Sequence, residues 1–417
     1  MFRAMRSGVL VLALSRVIGI SREFMIAIAF GFTGTTDIFY QAIFPMTCAI
    51  AIMTGPFTTA FAARFAGQSA DQKRAQLWGV ETKIAWVALS AIVLSWLAAT
   101  VMWWLPFGDF KQISVPVAVL APALGAALFI GYVSAVSTSA GQIAVAATGY
   151  LSANAAFLFG LVLAWEFVPS PAPWLLPLLY AMGMLFALLP AFAVRSKFRK
   201  DLPPTAPVEK MSIAGLRRSF ALAMLESGVF LLTQLVVLLL ASSQGTGVAS
   251  AAALSQRISL SIVGLFVLPF ASLVMLRVIN NLQTARRELL RNLGLLVFIL
   301  LLGSGVLVAL ISPLAHRFLA ADSADLLISV LPAFALWAIP MGINVLLSRV
   351  MFGLGLDRAF TGISIGGYLI ANVMRVAAVP FGGVVAAVVA GAMVEIALSM
   401  VLLRTTLQHL NRVGAKI

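Results

Sequence analysis

Seven ionisable residues interrupt the apolar runs of this sequence, and they define the chemistry that the chain could perform. An arginine within an apolar segment offers a planar, doubly donating group that suits phosphate or carboxylate. An acid in the same setting offers a site for a cation or a proton. Each costs about 2.5–3.5 kcal/mol in a membrane-spanning helix, so such residues indicate function. They are Arg16, Arg22, Glu23, Glu226, Arg257, Arg375 and Glu395.

The first apolar segment carries three of these charges. Arg16 and Glu23 are seven residues apart and share nearly one helix face, whereas Arg22 lies about 120° from Arg16. The two arginines can therefore reach one cavity. The alternative is an ion pair that only holds helices together. Asp37, at the start of the second segment, is either a helix N-cap or an acid at the mouth of that cavity.

Two further arginines extend the cationic set. Arg257 lies among serines and a glutamine, and Arg375 follows Asn372 by about one turn. At 1.5 Å per residue, Arg16 lies about 12 Å and Arg375 about 24 Å from the inner boundary. A cavity lined by these arginines predicts an anionic ligand. The candidate substrate-binding residues are Arg16, Arg22, Glu23, Asp37, Arg257 and Arg375. The alternative for Arg257 is a side chain that extends to the lipid headgroups.

Two acids in the second half of the chain predict a coupling-ion site. Glu226 and Glu395 lie at similar depths, about 11–12 Å from the inner boundary. Two close buried carboxylates need a counter-charge, which could be a proton, a sodium ion or Arg375. Arg375 is expected about 12 Å higher, beyond their reach unless its helix breaks near Gly366 and Gly367. Asn372 would add an oxygen ligand. The alternative is that the two acids face different helices.

The composition restricts the class of protein. Hydrophobic residues make up 62% of the 417 residues and charged residues 10%, whereas soluble chains are about 25% charged. The sequence thus predicts a polytopic, all-α membrane protein. The net charge of +14 is explained by basic residues in cytoplasmic loops and does not indicate nucleic-acid binding. One cysteine, Cys48, and two distant histidines predict neither a disulfide nor a zinc site. No P-loop, catalytic cluster or cofactor motif is present, so we expect neither an enzyme nor a cofactor.

Twelve segments are long and apolar enough to cross a bilayer, and we number them as spans 1 to 12. We expect the first to be retained, because its charges do not suit a cleavable signal peptide. The predicted spans are Gly8–Phe30, Ile38–Ala62, Val80–Leu105, Ile113–Ser137, Ile143–Phe167, Trp174–Val194, Ser219–Ala241, Val248–Leu276, Leu289–Ile311, Leu326–Val350, Ala359–Val379 and Gly383–Leu403.

The distribution of basic residues supports this count. Of the 28 Lys and Arg residues, only Lys111 and Arg317 fall in loops predicted to lie outside, whereas most lie in the alternate connections and the two termini. This segregation predicts that both termini are cytoplasmic. A basic, proline-containing linker over residues 195–218 divides the chain into an N-terminal lobe, 1–194, and a C-terminal lobe, 219–417. Such halves are typical of transporters with internal repeats, although we expect no clear sequence repeat.

The first sixty residues resemble the opening of the MurJ/MviN-type lipid II flippases. The matching segments are Leu14-Ser15-Arg16-Val17-Ile18-Gly19, Arg22-Glu23, Phe30-Gly31, Thr36-Asp37-Ile38-Phe39, Gly55-Pro56-Phe57 and Ala60-Phe61, with Ser255-Gln256-Arg257-Ile258 further on. The resemblance implies the multidrug/oligosaccharidyl-lipid/polysaccharide (MOP) exporter fold, with two six-helix lobes around a central cavity. It also implies transfer of a polyprenyl-diphosphate-linked glycan across a bacterial inner membrane. Arg16, Arg22, Asp37 and Arg257 match cavity positions of the family.

The resemblance also implies that transport is coupled to an ion. Some members hold a sodium ion among spans 7, 11 and 12, and coupling to H⁺ or to the membrane potential is an alternative.

The chain departs from the family in two respects. The family's charges in span 2 are replaced by Ala49, Ile50 and Thr54. The family's fourteen spans are expected to be twelve here. Both departures favour another lipid-linked oligosaccharide, such as a capsule or exopolysaccharide unit.

Two alternative functions are compatible with the sequence. One is an ion-coupled multidrug or organic-cation antiporter of the same superfamily, which typically uses a free carboxylate in its N-terminal half. The other is a transport-inactive scaffold that recruits partners in a cell-envelope synthesis complex. The expected partners are therefore the lipid-linked glycan, membrane lipids and envelope synthesis proteins.

Overall fold

The computed structural model describes residues 2–56, 81–105, 108–139, 143–167, 174–200 and 213–414, and every regular element in those ranges is helical. The predicted all-α fold class is thereby confirmed. The chain divides into two compact units, Met1–Arg217 and Arg218–Ile417, each with six spans.

The N-terminal unit contains spans 1 to 6. Span 1 packs against span 5, span 3 against span 4, and span 5 against span 6. Span 6 is interrupted at Ala187 and then continues as a helix into the predicted basic linker, where Arg195 forms an ion pair with Glu81 at the start of span 3. The helices are Phe2–Phe30, Gly34–Pro56, Glu81–Trp104, Gly108–Ser139, Ile143–Phe167, Leu175–Phe186 and Leu188–Lys200.

The C-terminal unit contains spans 7 to 12, and span 10 is at its centre. Span 10 packs against spans 8 and 9 and against the last helical element. Span 8 contains a π-helical turn over Val263–Val267, a feature that is frequent at functional sites. The helices are Ile213–Ser242, Val248–Ile262, Leu268–Asn280, Ala285–Phe318, Ala321–Gly353 and Asp357–Gly414.

Spans 11 and 12 are two helices that join directly at Gly382 and Gly383, where the chain reverses direction. Gly382 and Gly383 have non-helical dihedral angles inside Asp357–Gly414. Gly383 has a φ of +62°, which side chains with a Cβ rarely adopt. The Gln244 side chain at the end of span 7 accepts a hydrogen bond from the Val384 N–H at 3.0 Å and so caps the start of span 12.

The described helices are those of a multi-pass membrane protein. Eight of them are long and apolar enough to cross a bilayer, and the last of these contains both span 11 and span 12. Spans 1, 2 and 8 are helical but do not meet that criterion over their described residues. Large apolar side chains point outward, among them Trp104, which is 79% exposed, and Phe381, which is 87% exposed. Lipid is the solvent that such faces require.

Candidate functional site

Span 1 places a buried ion pair inside the N-terminal unit. Arg22 pairs with its neighbour Glu23, which is only 2% exposed. The Tyr40 hydroxyl of span 2 donates to the second oxygen of Glu23 at 2.8 Å. Arg22 Nη1 donates to Asn154 Oδ1 of span 5 at 2.6 Å. Span 1 is thus joined to spans 2 and 5 by hydrogen bonds at the level of this pair.

Aromatic rings enclose the Arg22 guanidinium. Its central carbon lies 5.5 Å from the ring centroids of both Phe157 and Tyr180, within the range of cation–π attraction. These two rings meet edge to face at 5.3 Å. Glu23 neutralises the charge of Arg22, so this guanidinium is held as a structural group and has limited freedom to bind a ligand.

Arg16 is in a different electrostatic setting. Its side chain is half-buried, and none of the ion pairs formed by the described residues includes it. It interacts electrostatically with Tyr150 of span 5, whose buried hydroxyl has no hydrogen-bond partner there. Arg16 is therefore the cation of span 1 whose charge no carboxylate in the described ranges offsets.

Asp37 is buried in the first turn of span 2, which begins at Gly34. A carboxylate in a first turn is favoured by the helix dipole. At the same turn, Thr36 Oγ1 accepts a hydrogen bond from the Thr33 N–H at 2.9 Å. Asp37 therefore lies within the first turn and is not the N-cap residue, because the helix begins three residues earlier, at Gly34. The matched residues Gly55, Phe57, Ala60 and Phe61 lie outside the described side chains.

The C-terminal unit contains a second and more deeply buried ion pair. Arg375 Nη2 lies 2.5 Å from Glu395 Oε1, and both side chains are 0% exposed. Trp337 of span 10 donates from Nε1 to the other carboxylate oxygen at 2.9 Å, and its ring lies 5.3 Å from the guanidinium carbon. Arg375 Nη1 also donates to Asn372 Oδ1 at 3.3 Å. Every charged group of this cluster thus has its counter-charge inside the unit.

The expectation that Arg375 lies beyond the reach of Glu395 is wrong. It compared depths counted from the inner ends of spans 11 and 12, although the two spans share a turn at Gly382 and Gly383. Counted from that turn, Arg375 is seven residues before it and Glu395 twelve after it, a difference of about 8 Å. An extended arginine and a glutamate together bridge such a distance. No helix break at Gly366 or Gly367 is needed, and the helix is continuous there.

The remaining predicted residues occupy separate places in the C-terminal unit. Glu226 of span 7 is half-buried and interacts electrostatically with Tyr368 of span 11, as does Glu395. Asn372 is buried beside Arg375. Arg257 is half-buried on span 8. Its neighbours Ser255 and Ser259 are buried, so the polar residues around Arg257 lie inside the unit.

Sequence reasoning identified Asn372 as an oxygen ligand, but it missed Asn154 and the aromatic residues that hold the two guanidinium groups. A signal for them exists, because the two halves share a short repeat, which corrects the expectation that none would be found. Span 5 reads Gly149-Tyr150-Leu151-Ser152-Ala153-Asn154, and span 11 reads Gly367-Tyr368-Leu369-Ile370-Ala371-Asn372. The asparagine that ends each copy accepts a hydrogen bond from a buried arginine of its own unit. Each unit therefore contains an Arg–Glu ion pair whose arginine is hydrogen-bonded to the asparagine of the repeated segment.

Solved transporter structures share this architecture over most of the chain. The inward closed conformation of the lipid II flippase MurJ matches with a TM-score of 0.74 and 16% identity, covering 95% of this chain and 86% of that one. A MATE in complex with MaL6 matches with a TM-score of 0.70 and 13% identity over 97% of both chains. A MOP superfamily transporter from Pyrococcus furiosus matches with a TM-score of 0.71 and 12% identity, over 97% of this chain and 95% of that one.

No protein-family model matches the chain, and no curated protein matches its sequence. At these identities the structural matches establish the fold and leave the substrate open. They confirm the fold that the motifs of span 1 implied. The chain therefore has the fold of the MOP exporter superfamily, which the MurJ flippase and the MATE transporters share.

Proposed function

We propose that this protein is a flippase for an anionic, polyprenyl-diphosphate-linked oligosaccharide. It would move this lipid from the inner to the outer leaflet of a bacterial inner membrane by alternating access, with both termini in the cytoplasm. The cargo would be a lipid II-like or an exopolysaccharide or capsule unit. Its diphosphate would bind to Arg16, with the hydroxyl of Tyr150 as a further donor.

The sign of the uncompensated charge in the N-terminal unit carries this proposal. Glu23, the acid within span 1, is already bonded to Arg22 and Tyr40. Arg16 has no such partner in the described part of the unit. A guanidinium of this kind attracts a diphosphate and repels an organic cation. The MurJ match supports the same class of cargo.

An ion-coupled antiporter for organic cations is the second candidate. The MATE structures match as large a share of the chain as MurJ does. Glu226 supports this function, because no ion pair among the described residues includes it. A cationic drug would then use the C-terminal unit, and Arg16 would have no direct part in its binding.

Reconstituted transport separates these candidates. The purified protein in liposomes should move a fluorescent polyprenyl-diphosphate-linked disaccharide between leaflets, as measured by the fraction accessible to a membrane-impermeant quencher. It should not accumulate ethidium in response to a proton or sodium gradient. Ethidium transport without lipid transport would establish the antiporter instead. Loss of both activities in folded protein would favour a scaffold.

Glu226 is the acid to test for coupling, since Glu395 and Asn372 are bonded to Arg375. Glu226→Gln should abolish any dependence of the flipping rate on a proton or sodium gradient while retaining gradient-independent exchange. The matched control is Glu288→Gln, which alters an acid at the start of span 9 that pairs with Arg291. An unchanged gradient dependence in Glu226→Gln would exclude this acid from coupling.

A further inference from the structure

The Arg375–Glu395 ion pair is buried in the C-terminal unit, and each of its two charges neutralises the other. Both side chains are 0% exposed, although burying two charges is costly and is compensated only by good geometry and additional hydrogen bonds. Both carboxylate oxygens of Glu395 are used, one by Arg375 and the other by the indole N–H of Trp337. A cation that approached Glu395 would have to compete with these two donors.

The space around the guanidinium is shaped for it. The Trp337 ring lies over the guanidinium, and Gly391 of span 12 lies against it. A Cβ at Gly391 would lie 2.3 Å from Arg375 Cζ and Nε, so any larger residue there would require the guanidinium to move. Three elements, spans 10, 11 and 12, therefore form a cage around one fixed cation.

An inorganic cation bound at this place would use the same oxygen atoms that now contact the Arg375 guanidinium. Monovalent and divalent metal ions take oxygen ligands from carboxylates and amides, and Glu395 and Asn372 are such ligands. Here the guanidinium holds both, with hydrogen bonds of 2.5 Å to Glu395 and 3.3 Å to Asn372. The charge balance that a bound metal ion or proton could provide is supplied by a covalently attached side chain.

We propose that Arg375 is a built-in cation, which occupies an inorganic-cation site formed by Glu395 and Asn372. The C-terminal unit then needs no Na⁺ at Glu395, and the site accepts a small external cation only when the guanidinium is removed. The proposal concerns the ion requirement of this unit, so it is independent of which substrate the protein carries.

Thermal unfolding of the purified full-length protein in detergent tests this inference without any substrate. Wild-type protein should have the same Tm in NaCl as in N-methylglucamine chloride of equal ionic strength. Arg375→Ala should lower the Tm by on the order of 10 °C in N-methylglucamine, because it leaves a buried carboxylate unpaired. Addition of Na⁺ or methylguanidinium should then raise its Tm with a saturable concentration dependence.

Two control variants make the result specific. Arg375→Ala/Glu395→Gln should lose the response to both cations, because no charge remains to attract them. Arg375→Met/Glu395→Gln should melt above either single variant, since it restores neutrality with similar volumes. If Arg375→Ala does not fold, the Tm comparison between this neutral double variant and Glu395→Gln still tests whether the two charges neutralise each other. A Na⁺-dependent Tm of the wild type that disappears in Glu395→Gln would overturn the proposal, as would an Arg375→Ala protein of unchanged Tm or one indifferent to both cations.

Discussion

Arg16→Ala should lower the flipping rate of a polyprenyl-diphosphate-linked lipid by about 100-fold while leaving folding intact. A bidentate hydrogen bond between a guanidinium and a phosphate contributes on the order of 3 kcal/mol, which corresponds to a factor of that size. Folding should be unaffected because Arg16 is in no ion pair formed by the described side chains. The reconstituted quencher assay measures the rate, and gel filtration with Tm measures the fold.

The matched controls for Arg16 separate charge from geometry. Arg16→Lys should restore only part of the rate, because an ammonium keeps the charge and lacks the planar fork. Arg317→Ala, which removes an exposed arginine beside Phe318, should transport at the wild-type rate. A wild-type rate in Arg16→Ala would exclude the diphosphate site proposed in span 1.

Arg22 should respond differently from Arg16, although sequence reasoning assigns both arginines to the lining of one cavity. The structure bonds Arg22 to Glu23 and Asn154, so its removal leaves a buried carboxylate with Tyr40 as a neighbour. The loss of transport in an Arg22 variant would then follow from lowered stability of the unit. Spacing places a charge on a helix face, but it does not identify the groups on neighbouring helices that neutralise it.

The sequence was informative where a physical rule acts on the whole chain. Hydropathy and the segregation of basic residues predicted an all-α membrane protein, and the motifs around Arg16 and Asp37 implied the fold that the solved transporters share. Rules that use one helix at a time were weaker. Depths counted along spans 11 and 12 separately placed Arg375 far from Glu395, whereas the shared turn at Gly383 brings the two side chains together.

The asparagines show what a tertiary contact adds to a pattern. Asn154 and Asn372 are the last residues of a short segment that recurs in the two halves of the sequence. Their importance follows only from the arginines that bond to them, one of which is on span 1 and the other on the repeated helix itself. Because these arginines occupy different positions in the two halves, comparison of the halves alone does not pair them with the asparagines.

Gly391→Ala should destabilise the C-terminal unit, although alanine is favoured over glycine in helices by about 1 kcal/mol. The new Cβ would lie 2.3 Å from the guanidinium carbon of Arg375, and Trp337 blocks retreat on the ring side. The guanidinium must therefore leave Glu395, and breaking a buried pair costs about 3–5 kcal/mol. We expect a net loss of about 2–4 kcal/mol, measured as a lower Tm of the purified protein.

A pair of comparisons ties this loss to the ion pair. Gly362→Ala alters an exposed glycine of span 11 with no atom within 4 Å of the new Cβ, so it should leave the Tm unchanged or raise it. In the Arg375→Met/Glu395→Gln background, Gly391→Ala should no longer be destabilising, because the flexible methionine can yield and no charge pair remains to break. A Tm loss of equal size in both backgrounds would mean that Gly391 is required for helix packing alone, and that the cage around Arg375 does not depend on it.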